Sequence, residues 1–210
     1  SGRRTSKGAV SARRRGRLDA AASNRVRIVG GTHRSRVIRF PERPGLRPTP
    51  DRVRETLFNW LGQDLTGLAC LDLFAGSGAL GFEAASRRSS QVILVERDAA
   101  AVQALRDNAR LLGLPAIEVI AGDALEFVRF DKRRFDVVFV DPPFEGADHP
   151  GILSKVVDRL APGARVYLEA PRPVDPGEGW SVLRRLAAGQ VHAHLIERQE
   201  HETSRLPRDL

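Results

Sequence analysis

An acid, two prolines and an aromatic ring stand in a row at Asp141-Pro142-Pro143-Phe144, directly after the apolar run Phe135–Val140. Two prolines lack the N–H that a sheet ladder needs, so a strand must stop there in a stiff corner. The Asp141 carboxylate and the Pro142 carbonyl are then two acceptors on one rigid turn, and Phe144 offers a flat surface beside them. That set suits an amine conjugated to an aromatic ring. Such an amine is a poor nucleophile, and its two N–H groups must be held so that its lone pair faces an electrophile. The ring would stack on Phe144 once taken out of its own stack.

A second set surrounds Asp72-Leu73-Phe74-Ala75-Gly76-Ser77-Gly78-Ala79-Leu80-Gly81. An apolar run over 68–73 ends in small residues, and helical spacing follows to about residue 87, which predicts strand, tight turn and helix. Glycines at such a turn admit positive φ and leave no Cβ between backbone and ligand, and the new helix aims unpaired N–H groups above the turn. Gly76, Gly78 and Gly81 satisfy the dinucleotide fingerprint G-x-G-x-x-G. They equally suit S-adenosylmethionine, and the glycines alone leave the two open. Asp72 inside the strand end favours the second, because a carboxylate holds a cationic amino group and repels a pyrophosphate. On that reading Asp72 and the turn backbone of Phe74, Ala75, Gly76 and Gly78 take the methionine end. Glu96, at the next strand end, accepts the ribose hydroxyls. Asp123 accepts from the adenine amine while Ala124 gives the ring a backbone N–H. Asp123 is equally well placed to cap the helix that follows.

These residues need a scaffold that sets them side by side. Runs at 91–95, 117–120, 135–140 and 165–169 read as strands, and 98–112, a short stretch through Phe127, and 150–160 read as helices. Strands alternating with helices predict a mainly parallel sheet covered on both faces, with ligands at the carboxyl ends of the strands. Asp72, Glu96, Asp123 and Asp141 occupy four such ends. The runs 181–186 and 190–197 read as a closing antiparallel hairpin. Upstream, 25–29 and 36–40 alternate basic and apolar residues around Gly30-Gly31-Thr32-His33, a small hairpin with Arg25, Arg27, Arg34, Arg36 and Arg39 outward. A proline-rich linker covers 41–48. Thr49 is placed to cap a helix with Pro50 at its first position, and Val53, Leu57 and Leu61 form its apolar stripe. Arg52 and Arg54 lie off that stripe. The chain thus divides into a disordered basic arm over 1–24, hairpin and linker over 25–48, a catalytic domain over 49–197 and a polar tail over 198–210.

The 210 residues carry a net charge of +8, and residues 1–39 hold twelve basic residues against one acid, Asp19. That is the charge pattern of a polyanion binder. Arginine greatly outnumbers lysine, which a codon bias would also produce. No apolar stretch approaches a membrane span of about 20 residues, and the basic N-terminus lacks the apolar core of a signal peptide. The single cysteine, Cys70, fits a reducing compartment and reads as a buried apolar filler. A cytoplasmic monomer is expected. No His/Cys cluster suggests a metal, and the five histidines read as surface residues.

Asp141-Pro142-Pro143-Phe144 resembles the signature of amino-group methyltransferases acting on nucleic-acid bases. Together with the glycine turn, Arg27-Ile28-Val29-Gly30-Gly31 and the stretch from Gly45-Leu46-Arg47-Pro48-Thr49-Pro50 to Asn59-Trp60-Leu61 resemble the RsmD family of bacterial 16S ribosomal RNA guanine-N2 methyltransferases. The resemblance covers about residues 25–197. It implies a Rossmann-like, seven-stranded class I methyltransferase core with S-adenosylmethionine as methyl donor. It also implies a guanine substrate in the small ribosomal subunit or its assembly intermediate. The segment containing Thr49 would close over the cofactor, and Arg25, Arg27, Arg34, Arg36, Arg47, Arg52 and Arg54 would hold RNA phosphates. His33 and Ser35 depart from the family's usual residues. Three rivals remain: a DNA amino-methyltransferase acting on adenine N6 or cytosine N4, a non-catalytic ribosome assembly factor and a dinucleotide oxidoreductase. Methylation at cytosine C5 needs a cysteine nucleophile, and Cys70 lies in the wrong strand for it.

Overall fold

The computed structural model describes residues 24–143 and 146–199. The arm over 1–23, Phe144 and the tail from 200 onward therefore lie outside the described residues, as do the expectations placed on them. A two-stranded hairpin, β1 (Arg25–Arg27) and β2 (Val37–Arg39), precedes the helix α1 (Asp51–Leu61). Then come β3 (Ala69–Asp72), α2 (Ala79–Ser86), β4 (Gln91–Glu96), α3 (Ala99–Leu112), β5 (Ile117–Ala121), α4 (Ala124–Phe130), β6 (Phe135–Val140) and α5 (His149–Val156). The chain closes with β7 (Leu160–Ala170), β8 (Trp180–Ala188) and β9 (Val191–Arg198).

The seven strands from β3 to β9 form one sheet in the order β5-β4-β3-β6-β7-β9-β8. Pairing is parallel from β5 through β7, and β9 runs antiparallel to both β7 and β8. This is the predicted mainly parallel sheet. Strand order reverses between β3 and β6, which opens a crevice at their carboxyl ends. One face packs on α1, α2, α3 and the hairpin, through residues such as Ile28, Leu57, Phe58, Phe82 and Leu105. The other packs on α4 and α5, through Val128, Ile152 and Leu153.

Local chemistry sets the boundaries. Asp98 caps α3 by accepting from the Ala101 N–H, and Gly113 ends it in the left-handed conformation, φ 63°. The helix expected over 150–160 stops at Val156, and a single 3-10 turn leads into β7. Leu160 already pairs with Phe135, and the register shifts before Arg165 pairs with Val137. The interruption coincides with Pro162-Gly163, which a regular ladder does not accommodate.

Three sequence expectations fail around α1. Thr49 does not cap the helix: Pro50 is the cap residue, with no side-chain bond, and the Thr49 hydroxyl donates to Glu169 instead. Arg54 is not a surface residue free for RNA, since only 1 % of it is exposed. Its guanidinium donates to Glu83 Oε1 (2.7 Å), the Arg27 carbonyl (2.8 Å), the Thr49 carbonyl (3.0 Å) and Asp51 Oδ1 (2.5 Å). The buried side of the helix is Val53, Arg54, Leu57 and Phe58, rotated from the predicted stripe so that Leu61 is only partly covered. Two histidines expected outside, His149 and His194, are also buried.

Candidate active site

The carboxyl ends of the strands open into a cleft of about 810 Å³. Its floor brings together the glycine turn (Phe74, Ala75, Gly76), the acids Asp72, Glu96, Asp123 and Asp141, and Ala124 and Pro142. Residues separated by seventy positions in sequence thus share one space. The segment before α1 crosses this cleft. Leu46 lies over the turn, so that a Cβ on Gly76 would meet its Cδ1 at 2.8 Å, while Gly45 lies by the Pro143 carbonyl on the other side. Arg43 fastens the segment to the start of α3 through Asp98, Nε to Oδ2 3.3 Å.

Gly78, expected against a cofactor, does not line the cleft. It begins α2 with φ 81°, and a Cβ there would run into Leu105 and Phe82 at 2.5–2.8 Å. Its role is to turn the chain and let two helices meet. Gly81 allows α2 to approach the sheet, because a Cβ would lie 2.1 Å from Leu94 Cδ2.

Each acid is held differently. Glu96 Oε2 accepts from the Gly76 N–H (2.9 Å), and Oε1 accepts from the Arg97 and Asp98 N–H groups, both at 2.8 Å. Three of its roughly four acceptor positions are therefore occupied, which narrows the expected grip on two ribose hydroxyls to about one. Asp123 caps α4, its Oδ1 accepting from Leu125 and Glu126, so the capping alternative is realised and Oδ2 remains for a ligand. Asp72 is 2 % exposed and accepts from the Gly81 N–H at 3.1 Å. Burial, with the Glu96 charge adding to it, pushes the Asp72 carboxyl up to about 7 against the Gly81 hydrogen bond. Burial raises Asp141 well above the ordinary carboxylate range, and the charges of Glu169 and Asp72 push the same way.

Glu169 is a fifth acid that the sequence reading passed over. It is the next-to-last residue of β7, lines the same cleft and is buried. Its Oε2 accepts from the Tyr167 hydroxyl (2.8 Å) and the Thr49 hydroxyl (3.0 Å). Burial raises its carboxyl too, against both of those bonds. Tyr167 belongs to a tilted aromatic column. Phe58 and Phe139 have centroids 6.0 Å apart, and Phe139 and Tyr167 6.4 Å apart, which anchors α1 on the sheet beneath the acids.

Among the described residues, Asp72, Asp141 and Glu169 form no salt bridge with any cation. Three carboxylates without an ion-pair partner thus stand next to the glycine turn, in a cleft whose lining also includes Arg43, Arg47, Arg97 and Lys155. That donor set fits a ligand with an ammonium group and hydroxyls at one end of the cleft and a second ligand with an amine at the Asp141 corner. The arginines expected to meet RNA, Arg25, Arg27, Arg34, Arg36, Arg47 and Arg52, are exposed. Arg27 also approaches Asp51 at 3.7 Å. Cys70 is buried, and burial pushes its thiol up to about 12, the behaviour of a filler. No helix among the described residues is long and apolar enough to cross a membrane.

Residues 26–197 match the family model described as conserved hypothetical protein 95. The chain is 40% identical over 189 residues to the ribosomal RNA small subunit methyltransferase D of Escherichia coli strain K12, covering 85% of this chain and 93% of that protein. It is 38% identical over 184 residues to the protein of the same name from Haemophilus influenzae, covering 84% and 95%. Among solved structures, a putative methyltransferase from Escherichia coli superposes with a TM-score of 0.76 at 40% identity, covering 83% of this chain and 98% of that one.

Proposed function

Since the chain belongs to the RsmD family of methyltransferases, we propose that it transfers a methyl group from S-adenosylmethionine to the exocyclic N2 of a guanine in 16S ribosomal RNA. The particle would be the small subunit or a late assembly intermediate, met by a monomeric enzyme in the cytoplasm. The observation that carries this reading is the shared cleft, which the glycine turn and the Asp141-Pro142 corner both line together with Asp72, Glu96 and Glu169.

Bound there, S-adenosylmethionine supplies an electrophilic methyl group on a sulfonium. Asp72 would hold its ammonium, Glu96 a ribose hydroxyl, and Asp123 Oδ2 with the Ala124 N–H its adenine. Asp141 and the Pro142 carbonyl accept the two N–H groups of the guanine amine and aim its lone pair along the line of displacement, so catalysis comes mainly from positioning. The raised proton affinity of Asp141 also suits it to take up the proton that the methylated amine sheds. Arg25, Arg34, Arg36, Arg47 and Arg52 would hold phosphates, which position the RNA without reading its sequence. Segment 41–50 crosses the cleft and suits the closing role.

The direct test incubates the protein and isotopically labelled S-adenosylmethionine with small subunits from a strain lacking its own enzyme of this family. The RNA is then digested for nucleoside mass spectrometry. N2-methylguanosine is expected, and particles are expected to be methylated in preference to DNA. N6-methyladenosine, N4-methylcytidine or preferential labelling of DNA would overturn the assignment. Particle binding without any transfer would mark a non-catalytic factor.

Asp72 makes cofactor affinity pH-dependent. Its carboxyl is raised from 3.8 to about 7 in the folded protein. Its contribution to stability is therefore present at acidic pH and is lost as pH rises through about 7. An ammonium ligand needs the ionised form, so binding at pH 6 displaces a proton. Affinity for S-adenosylhomocysteine is expected to be about tenfold weaker at pH 6 than at pH 8. Calorimetry at pH 6 in two buffers of different ionisation enthalpy should show proton release, and Asp72→Asn should abolish it. Equal affinities with no proton release would exclude Asp72 as the ammonium site.

A further inference from the structure

Register places Glu169 beside the proposed acceptor site. Val140 pairs with Leu168 in parallel strands, so the next residue on each strand, Asp141 and Glu169, stand side by side. Asp72 pairs with Phe139 and Phe139 with Tyr167. By the two-residue alternation, Asp72, Asp141 and Glu169 all lie on the sheet face covered by α1. Both hydroxyl donors to Glu169 use Oε2. Among the described residues its Oε1 accepts no hydrogen bond, and the atom is not fully buried. The carboxylate is thus fixed by one oxygen and offers the other to the cleft.

The chemistry of that free oxygen depends on what Asp141 holds, and this step rests on the N2-guanine reading. On the Watson–Crick edge of guanine the N2 amine lies beside N1–H, a second donor. Adenine and 2-aminopurine carry a lone pair at N1 instead. We infer that Glu169 Oε1 accepts the guanine N1–H while Asp141 and Pro142 hold N2, which makes Glu169 the residue that selects guanine. A fixed carboxylate meeting a lone pair leaves two acceptors facing each other, and buried polar groups left unpaired are what make sites reject analogues strongly. Thr49 brings the crossing segment onto the same oxygen that Tyr167 holds, so that segment helps to set the selecting carboxylate.

The test uses small subunits reconstituted with 16S RNA carrying either guanine or 2-aminopurine at the target position, assayed at about pH 8 to keep the carboxylate ionised. The wild-type protein is expected to favour guanine by about 100-fold or more in kcat/KM. Glu169→Gln, whose amide can turn a donor toward N1, should bring the two substrates within about tenfold of each other. The N2-amine is present in both, so a general loss of structure would lower both rates and leave their ratio unmoved. An unchanged ratio overturns the assignment of Glu169. If the wild-type protein makes no N2-methylguanosine, the functional reading itself has failed, and that is a separate result. Should Glu169→Gln melt below the assay temperature, Glu169→Asp decides. It keeps the charge but withdraws it, so guanine kcat/KM should fall while the preference holds, and unaltered guanine turnover overturns the proposal.

Discussion

Asp141→Ala is expected to lower the single-turnover rate of methyl transfer by about 10²- to 10⁴-fold, the range for losing a positioned proton-accepting group. Binding of S-adenosylhomocysteine should change only a few-fold. The separation follows from where the two ligands sit. The cofactor's proposed contacts lie on β3, β4 and the start of α4, whereas Asp141 directly follows β6, at the proposed acceptor site. Truncation removes one of two acceptors and leaves the Pro142 carbonyl, so one N–H is free to rotate and the lone pair loses its aim. The same change removes a buried carboxyl that the charges of Glu169 and Asp72 repel when it ionises. The unliganded variant should therefore melt no lower than wild type above pH 7. Rapid-quench kinetics at saturating cofactor, with calorimetry for binding, measures both quantities. Lost binding with an intact transfer rate would reverse the roles assigned to the two halves of the cleft.

Much of this arrangement was legible in the sequence because it depends on local signals. Strand ends are marked where apolar runs meet an acid, and helix starts where Asp98 and Asp123 can cap. The chain order of Asp72, Glu96, Asp123 and Asp141 then implies a shared rim once the sheet is parallel. Glu169 had the same signal, an acid closing an apolar strand, and two-residue spacing from Tyr167 even places it on the face of Asp141. It was missed because the strand end it occupies lies beyond the stretch that resembles a cofactor site. Thr49 misled because its residue type suits a helix cap, and only the folded chain shows a carboxylate within reach of its hydroxyl. Gly78 was read as a ligand contact because a glycine pattern does not distinguish a close ligand from a close side chain. Arg54 was misread for a related reason. A charge one position from an apolar stripe reads as solvated unless its partner is visible, and Glu83 stands 29 positions away. The hint was in Glu83 itself, an acid inside the otherwise apolar Ala79–Ser86, where burial demands a cation.

Glu83→Ala should accordingly be strongly destabilising. Glu83 is wholly buried, accepts from Arg54 on one oxygen and from Arg87 on the other, and also takes the Val29 N–H at 2.5 Å. Truncation strands the Arg87 guanidinium, 2% exposed, and leaves Arg54, 1% exposed, with Asp51 as its remaining carboxylate. Breaking a buried pair from one side costs about 3–5 kcal/mol. For a chain of this length each kcal/mol lowers Tm by about 2–4 °C, so a fall of about 6–20 °C is expected. Arg54→Ala should cost less, because Glu83 keeps Arg87, whose guanidinium also lies over the Phe58 ring at 4.4 Å. The damage should also be directional. Val29 N–H and the Arg27 carbonyl are points where this network holds the basic hairpin. Amide exchange over residues 25–40 should therefore quicken in Glu83→Ala more than exchange in β4 or β6, and affinity for ribosomal particles should drop at temperatures where the sheet is still folded. A variant melting within a degree of wild type, or one that loosens uniformly, would show that the hairpin is held by its apolar contacts alone. The physical reason to expect otherwise is that Ile28 and Ile38 can find new apolar neighbours after a small shift, whereas the buried Arg87 guanidinium, whose salt bridge is to Glu83, finds no substitute without opening the core to water.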